Sequence, residues 1–357
     1  MAGTWGNMLR LSIFGESHGR GIGVVIDGLP AGEEIDLSAV EAQMKRRAPG
    51  QSALTTPRTE ADSVEILSGF HNGKATGSPI GAVIFNKDAR SQDYDSKLRP
   101  GHADLTALLK YGGHADMRGG GHFSGRITAP LVFAGAIARQ VLARRGLDIF
   151  GRIKEIAGIE DGLCKSREDF LRILEKSFAV ADDAAGERMQ SAILAAKEDG
   201  DSVGGVVEIA AFGAPAGLGE PFFRSVESEI ARFLFSVPAV KGVEFGGGFP
   251  LSRLRGSQSN DAIIFKDGKI QTLTNNAGGI QGGITNGMPI ILRAAIKPTS
   301  TIAIEQDTLD GKTLEPVKIT SGGRHDPCIV TRALPVIESV VALCLLDLLM
   351  EQRGRSI

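Results

Sequence analysis

Six histidines are the residues whose type and setting in this sequence point most directly to chemistry. Each lies within two residues of a glycine, and they are His18, His71, His102, His114, His122 and His325. Histidine exchanges protons near neutral pH, and catalytic side chains concentrate on loops that a rigid scaffold positions. The pattern favours an enzyme whose site is built from three loops, around His18, His102 and the pair His325-Asp326. For any single histidine, a turn residue without a chemical role is the alternative.

The first loop, Gly15-Glu16-Ser17-His18-Gly19, matches the GxSxG pattern of a hydrolase nucleophile elbow. An elbow needs several strands before it and a helix after it. Only 14 residues precede Gly15, and a glycine-rich strand is predicted to follow. We therefore expect His18 to be the working side chain and Ser17 to be a local hydrogen-bond donor. A serine hydrolase that uses Ser17 is the alternative.

Two further loops combine histidine with arginine. In the run Arg99 to Asp104, His102 comes just before a predicted helix, whose N-terminal N–H groups and dipole favour an anion that Arg99 could also face. The segment 118–126 holds three consecutive glycines between two arginines, which suits a phosphate or a carboxylate. Further positive charge comes from Arg46, Arg47 and Arg58.

Two late segments place polar groups on rigid turns. Residues 297–301 read Lys-Pro-Thr-Ser-Thr, and residues 322–328 read Gly-Gly-Arg-His-Asp-Pro-Cys. The sequence has no GxxxxGK[ST] loop and no strand-GxGxxG-helix unit, which argues against P-loop and Rossmann nucleotide sites. The His, Cys and Asp residues do not stand at metal-ligand spacing, so we expect no metal.

The elements that must hold these loops alternate irregularly, which favours the α+β class. Strands are predicted over residues 9–14, 22–27, 64–70, 80–86 and 203–212. Helices are predicted over residues 38–47 with Ser38 as the cap, 103–111, 130–144, 167–177, 188–198, 221–235 and 335–352, the last with Pro335 in its first turn. We expect one domain over 1–357 or two pseudo-repeated halves, because Gly73-x3-Gly77-Ser78-Pro79-Ile80 is echoed by Gly283-x3-Gly287-Met288-Pro289-Ile290. Chance similarity between glycine-rich segments is the alternative.

Bulk properties narrow the classes of function. The formal charge of -2 argues against a nucleic-acid-binding protein, which usually carries a basic excess. Three widely spaced cysteines indicate neither a disulfide framework nor a zinc site, and they fit a reducing cytoplasm. We predict no export signal and no membrane span, because the most apolar stretch, 340–350, is short and contains Asp347.

Taken together, six motifs resemble those of the chorismate synthase family, in the same order and across nearly the whole chain. They are GESHG at 15–19, RPGHAD at 99–104, RGGGxxSxR at 118–126, NNAGGIQGG at 275–283, KPTST at 297–301 and GRHDPC at 323–328. The resemblance implies helices packed between antiparallel sheets. It also implies a lyase of the shikimate pathway, in aromatic amino acid biosynthesis, that eliminates phosphate from 5-enolpyruvylshikimate 3-phosphate to give chorismate.

The resemblance further implies a requirement for reduced FMN without net redox change, and a homotetramer. By matching motifs, His18, His102 and Asp326 correspond to the family's catalytic residues. The expected FMN contacts are His122, Phe123, Ser124, Ala239, Gly282, Lys297, Pro298, Thr299, Ser300, Thr301 and Arg324. The expected substrate contacts are Arg46, Arg47, Arg126 and Ser17.

This chain departs from the family pattern at His122-Phe123, where many members have Arg-Ser, and at Ala53, where many have arginine. Some relatives have an NADP site near the positions of Arg47 and Ala53. The sequence contains no added flavin-reductase region, so we expect reduced FMN to come from a separate flavin reductase. A flavin-binding or anion-binding protein without turnover is the non-enzymatic alternative.

Overall fold

The computed structural model describes residues 3–50, 54, 62–86, 96–320 and 326–355. The strands are β1 (Thr4–Trp5), β2 (Arg10–Gly15), β3 (Gly21–Asp27), β4 (Val64–Ile66), β5 (Phe70–His71), β6 (Lys74–Ala75), β7 (Ile80–Phe85), β8 (Asp148–Ile156), β9 (Ile159–Glu160), β10 (Gly205–Phe212), β11 (Val240–Phe245), β12 (Ile263–Lys266), β13 (Lys269–Thr272), β14 (Ile280–Gln281), β15 (Ile284–Thr285), β16 (Ile290–Ile296), β17 (Gln306–Leu309) and β18 (Pro316–Ile319). The helices are α1 (Leu37–Arg47), α2 (Asp104–Tyr111), α3 (Thr128–Ala143), α4 (Arg167–Leu174), α5 (Asp183–Glu198), α6 (Val226–Leu234), α7 (Gly256–Ser259) and α8 (Val330–Arg355).

Two five-stranded antiparallel sheets form the framework. The first has the order β1-β2-β3-β7-β4 and the second has the order β11-β16-β10-β8-β9. Helices and strands alternate without a repeating βαβ unit, so the predicted α+β class is confirmed. The strand alternation is clear in β16, where every second side chain is buried.

Helices α3 and α8 form the apolar layer that both sheets cover. Helix α3 contacts β3 and β7 of the first sheet and β8 of the second, while α8 contacts β8 and β10. The two helices approach closely at Gly135, where an added Cβ would lie 2.2 Å from the Ser339 Cβ. Residues 118–143 and 330–352 are long and apolar enough for a membrane span by composition, but 83% and 89% of their most apolar windows are buried. Their hydrophobicity is therefore that of core helices.

The last helix also anchors the start of the chain. The Asp347 Oδ1 in α8 accepts hydrogen bonds from the backbone N–H groups of Met8 and Leu9, at 2.8 Å each. Asp347 is buried, and this pairing satisfies a carboxylate that would otherwise be costly in the core. The start of β2 and the end of α8 are therefore held together.

Several predicted helix ends were wrong. Helix α1 is capped by Asp36, which accepts from the Ser38 N–H at 2.8 Å, rather than by Ser38. The predicted helix 221–235 is shortened to α6, because Ser225 provides the N-terminal cap after a separate 3-10 turn at 222–224. Helix α8 starts at Val330, so Pro335 lies inside it instead of in its first turn.

The two segments with similar sequences have the same local structure. Each forms a hairpin of two-residue strands, β5 with β6 and β14 with β15, followed by the long strands β7 and β16. Each long strand then pairs with two neighbours, β7 with β3 and β4, and β16 with β10 and β11. The division of the chain into one domain or two pseudo-repeated halves stays a prediction.

Candidate active site

His18 lies in the tight turn that connects β2 to β3. The Gly19 N–H donates to the Glu16 carbonyl at 3.1 Å and closes this turn. Strand–turn–strand geometry does not match the strand–turn–helix that a nucleophile elbow requires, so the alternative of a hydrolase with Ser17 as nucleophile fails on local structure. Both ring nitrogens of His18 are buried.

The three glycines at 119–121 pack against the His18 turn. All three have positive φ, at 61°, 84° and 52°. A Cβ on Gly119 would lie 2.1 Å from the His18 ring, and the Gly121 carbonyl accepts from the Ser17 N–H at 3.1 Å. These glycines were predicted to form an anion-binding loop. In the structure, Gly119 is required for close contact with the His18 imidazole.

The residues around the glycines have separate roles. The Nδ1 of His122 is 2.8 Å from the Gly15 carbonyl, which links the two loops a second time. Phe123 is exposed, and Ser124 accepts from the Arg126 N–H at 3.3 Å. A hydrogen bond from Arg118, with a smaller contribution from the charge of His18, holds the pKa of Asp116 below its ordinary value.

His102 precedes α2, as predicted, with Ala103 as the helix cap between them. Arg99 forms an ion pair within this loop, since its Nε and Nη2 donate to the Asp104 carboxylate at 2.8 Å and 2.7 Å. Burial raises the pKa of Asp104, but the bonds and charge of Arg99 outweigh burial and lower it. This ion pair was not predicted, and the joint role of Arg99 and His102 toward an anion stays a prediction.

The segment 297–301 completes the surroundings of His102. The Nε2 of His102 is 2.6 Å from the Thr301 Oγ1. Lys297 donates to the Gly101 carbonyl at 2.9 Å and also contacts the Ser300 hydroxyl. Burial and the charge of Lys241 lower the pKa of Lys297. His102 and a cation with two hydroxyl groups thus share one small region.

Some of the other expected FMN contacts are described by the structure, but not all of them lie at this segment. Among the residues that the structure describes, the Thr299 Oγ1 is buried and contacts no hydrogen-bond partner. Ala239 has a φ of 72°, and its carbonyl accepts from the Lys297 N–H at 3.0 Å. Gly282 lies in the β14–β15 hairpin, and the carbonyl of the next residue, Gly283, accepts from the Val226 N–H at 3.0 Å. The structure therefore brings Ala239 to the 297–301 segment and places Gly282 near the start of α6.

Asp326 is connected to the 297–301 segment through the backbone of its neighbour Pro327. The Pro327 carbonyl accepts from the Val203 N–H at 2.9 Å, and the adjacent Ser202 hydroxyl donates to the Thr299 carbonyl at 2.6 Å. Asp326 is buried and ion-paired with Arg332. Cys328 is also buried, and burial raises the pKa of its thiol to about 11, which removes it as a thiolate nucleophile near neutral pH.

Two arginines that were expected to contact substrate share one buried carboxylate. Arg47 donates to Asp62 at 2.5 Å, to the Thr128 hydroxyl at 3.2 Å and to the Gly125 carbonyl at 3.1 Å. Arg126 pairs with the other oxygen of Asp62. Burial raises the pKa of Asp62, but the two guanidinium groups outweigh burial and hold it below the ordinary value. Both arginines are thus part of a buried charge cluster.

Arg46, the neighbouring expected substrate contact, points into the helical layer instead. Its guanidinium donates to the Glu338 carboxylate of α8 at 2.5 Å and 3.0 Å, and Arg139 of α3 donates to the same carboxylate at 2.6 Å. Burial raises the pKa of Glu338, but both arginines outweigh burial and lower it. This ion triad joins α1, α3 and α8.

The loops form a closed circuit of neighbouring segments. The turn 15–19 contacts 118–124. Gly120 lies near the guanidinium of Arg99 in the 99–102 loop, since an added Cβ there would be 3.9 Å from it. That loop contacts 297–301, which is connected to 326 through the 202–203 backbone. From Asp326 the contacts return through Arg332, whose Nε donates to the Arg47 carbonyl at 3.0 Å, and through the Asp62 cluster. The loops that carry His18, His102 and Asp326 are therefore neighbours among the described residues, and their grouping into one catalytic site stays a prediction.

Sequence reasoning missed Asp62, Asn86 and Arg332. Asp62 precedes β4 by two residues and Asn86 directly follows β7, and these strands pair with Val64 opposite Ile84. This antiparallel register brings position 62 opposite position 86, so polar residues at both strand ends were the available signal. The predicted site residues Arg324 and His325, like Ala53 and Arg58, lie outside the described residues. Within the described ranges, no group of three His, Cys, Asp or Glu side chains could hold a metal ion.

Comparison with known proteins agrees with the motifs. A family model described as chorismate synthase matches residues 9–350. Chorismate synthase of Archaeoglobus fulgidus is 48% identical over 352 residues, covering 98% of this chain and 97% of the relative. Chorismate synthase of Dehalococcoides mccartyi strain BAV1 is 46% identical over 351 residues, covering 98% and 96%. A crystal structure of chorismate synthase has a TM-score of 0.78 and 30% identity over 98% of this chain and 94% of that one. The chain belongs to the chorismate synthase family of lyases.

Proposed function

We propose that this protein catalyses the trans-1,4 elimination of phosphate from 5-enolpyruvylshikimate 3-phosphate, giving chorismate, with reduced FMN present and without net redox change. The observation that carries the proposal is the single circuit of contacts that contains His18, His102 and Asp326 among several cations. Loss of phosphate and of a C6 proton needs anion binding and proton handling in the same place. The described loops supply both.

Anion binding falls to the arginines of the circuit. The substrate carries a phosphate and two carboxylates, and guanidinium groups suit such ligands. Arg47 and Arg126 both pair with Asp62, so two guanidinium groups lie close together at this cluster. Ser17, beside His18, supplies a hydroxyl at the turn. Arg46 contributes through the Glu338 triad, which fixes the helix that carries Arg47.

The described residues fit a flavin phosphate and ring at the 297–301 segment. Lys297, Ser300 and Thr301 offer a cation and two hydroxyls, and the Thr299 hydroxyl is buried without a partner among the described residues. The remaining proposed FMN contacts are His122, Phe123, Ser124, Ala239, Gly282, Pro298 and Arg324. When bound, reduced FMN supplies electron density to the substrate as the C–O bond to phosphate breaks. The residues named above would hold the flavin and orient it.

Proton handling falls to His18, His102 and Asp326. His102 is oriented by the Thr301 hydroxyl at 2.6 Å, and His18 is held between its own turn and Gly119. An imidazole held in a fixed orientation can both hold and give a proton. Asp326, oriented by Arg332, provides the carboxylate of the site.

The cellular setting follows from the same proposal. The enzyme acts in the seventh step of the shikimate pathway, in the cytoplasm, as a homotetramer. A separate flavin reductase supplies the reduced FMN, and NADP would serve that reductase or bind near Arg47. Neither a nucleic acid nor a membrane is a proposed partner.

An anaerobic assay tests the proposal. Purified protein is mixed with chemically reduced FMN and 5-enolpyruvylshikimate 3-phosphate, and chorismate absorbance and phosphate release are followed together. Equal amounts of both products are expected. Flavin binding without either product would favour the non-catalytic alternative and would overturn the proposed reaction. Omission of the flavin, with all else unchanged, is expected to abolish product formation.

A further inference from the structure

Asn86, at the end of β7, holds both ends of the turn that carries His18. Its Nδ2 donates to the Glu16 carbonyl at 3.0 Å and to the Gly19 carbonyl at 2.9 Å. The backbone N–H of Asn86 donates in addition to the Arg20 carbonyl at 3.1 Å. One side-chain amide therefore closes the four-residue turn from outside.

The orientation of this amide is fixed by charge. The Arg126 Nε donates to the Asn86 Oδ1 at 3.1 Å, so the amide oxygen faces Arg126 and the amide N–H groups face the turn. Arg126 is in turn paired with Asp62, whose side chain is fully buried and also binds Arg47. A buried ion cluster thus sets which atoms of Asn86 reach the turn.

We infer that Asn86 is a positioning residue for His18, oriented by the Asp62–Arg126 ion pair. Only a short side chain with two donors on one end and an acceptor on the other satisfies the two turn carbonyls and Arg126 together. Ser17 and His18 lie between the two carbonyls, so a shift of either carbonyl moves the imidazole relative to Gly119, against which the ring packs. The catalytic part of this inference rests on the proposed function, and the structural part does not.

The sharpest test is Asn86→Asp, which keeps the shape but turns two donors into acceptors that face carbonyl oxygens. The matched control is Gln140→Glu in α3. Both ends of the Gln140 amide also bind backbone groups, in this case those of Asp36. The Gln140 Oε1 accepts from the Asp36 N–H at 2.8 Å, and its Nε2 donates to the Asp36 carbonyl at 3.0 Å. The control makes the same chemical change at a site outside the circuit.

The first readout does not need activity. Diethyl pyrocarbonate modifies neutral, accessible imidazoles, and mass spectrometry measures the rate at each histidine, at about pH 8 where imidazole is neutral. The His18 nitrogens are buried, so their modification is slow in the wild type. In Asn86→Asp we expect the His18 rate to rise roughly tenfold, as the freed turn opens, while the rates at His71 and His114 stay unchanged. Gln140→Glu is expected to leave all three rates unchanged.

The second readout is the split between kcat and KM. A displaced catalytic group costs on the order of 100-fold in rate, so kcat of Asn86→Asp is expected to fall by that factor, while KM rises by less, since the new carboxylate also faces the proposed substrate contact Arg126. If Asn86→Asp does not fold, Asn86→Ala removes the donors without adding a charge and is measured in the same way.

An unchanged His18 modification rate in the folded variant would overturn the inference, as would an unchanged kcat in an active enzyme. If His18 becomes reactive but even the wild type makes no chorismate, the positioning role holds and the proposed function fails.

Discussion

The His102 Nε2 and the Thr301 hydroxyl oxygen are 2.6 Å apart, although 199 residues separate them in the sequence. The contact joins the loop before α2 to the 297–301 segment, and it gives the imidazole a fixed partner. Lys297 and Ser300 bind the Gly101 carbonyl next to it, so the whole loop is held in place. The orientation of His102 thus depends on a residue that was expected only as a flavin contact.

Thr301→Val keeps the shape of the side chain and removes this hydrogen bond. We expect kcat for chorismate formation to fall about tenfold, which is the effect of losing one hydrogen bond of about 1.4 kcal/mol. The control is Thr272→Val, which removes the hydrogen bond from the Thr272 hydroxyl to the Thr274 carbonyl near the β12–β13 hairpin. Equal kcat values for Thr301→Val and the wild type would contradict the proposed orientation of His102.

Gly119→Ala is expected to abolish activity while the fold persists. The new Cβ would lie 2.1 Å from the His18 ring, in a backbone conformation with a φ of 61° that L residues rarely adopt. Gly158→Ala is the matched control, because Gly158 has a φ of 77° and an added Cβ there meets no atom within 4 Å. Circular dichroism and kcat are measured for both. Retained activity in Gly119→Ala would show that His18 is not confined as described.

Asp62→Asn is expected to destabilise the protein by about 3–5 kcal/mol near neutral pH, because it leaves two buried arginines without their carboxylate. The folded-state pKa of Asp62 is lowered, so its stabilising contribution is present above the unfolded pKa of about 3.9 and is lost as the pH falls toward the folded value. The difference from the wild type should therefore shrink below about pH 4. Urea unfolding at several pH values measures this.

The control for that experiment is Asp307→Asn, an exposed residue that pairs with Lys318 on the β17–β18 hairpin. It is expected to change the free energy of unfolding by no measurable amount. A loss in Asp62→Asn no larger than in this control would mean that the cluster around Arg47 does not contribute to stability.

Lys297→Met is expected to weaken the binding of reduced FMN about tenfold, through loss of one charge-assisted contact. Burial and the charge of Lys241 lower the pKa of Lys297. In the wild type, the affinity for reduced FMN should therefore fall at a lower pH than the deprotonation of an ordinary lysine would give. Lys241→Met should shift this fall to higher pH. Anaerobic fluorescence titration measures both. A pH dependence that persists unchanged in Lys297→Met would exclude Lys297 as its source.

Ser17→Ala is expected to be milder than His102→Ala or Asp326→Asn. Ser17 supplies a hydroxyl beside the turn, whereas the other two are the proposed proton-handling groups. Steady-state kcat values rank the three variants. Complete loss of activity in Ser17→Ala, with Asp326→Asn unaffected, would reverse the assignment of roles.

The motifs allowed the loops of the site to be predicted, because glycine, proline and histidine signal turns within a few residues of one another. The α+β class followed from irregular alternation of apolar periods. What these patterns did not indicate were partners far apart in sequence. Arg99 was expected to face an anion together with His102, and its ion pair with Asp104 was not predicted. The packing of Gly119 against His18 was not predicted either, since the two residues are 101 positions apart in the sequence.

Charges in the core were the least predictable feature. Arg46 and Arg47 are adjacent on α1 but bind different carboxylates, Glu338 and Asp62, because successive helical residues point about 100° apart. Helical periodicity predicted the helix but not which carboxylate each arginine would meet. That depends on how α8 packs against α1, which no local pattern records.

The attachment of β2 to α8 through Asp347 has a consequence for biosynthesis. Asp347 and Met8 are 339 residues apart, and the Glu338 triad joins α8 to α1 across 292 residues. Contacts of such long range are slow to form, so we expect the packing of β2 and α1 against α8 to form late in folding. A chain that stopped before residue 330 would have the turn of His18 and the loop of His102, but it would lack the acceptor for the Met8 and Leu9 N–H groups and the carboxylate that binds Arg46.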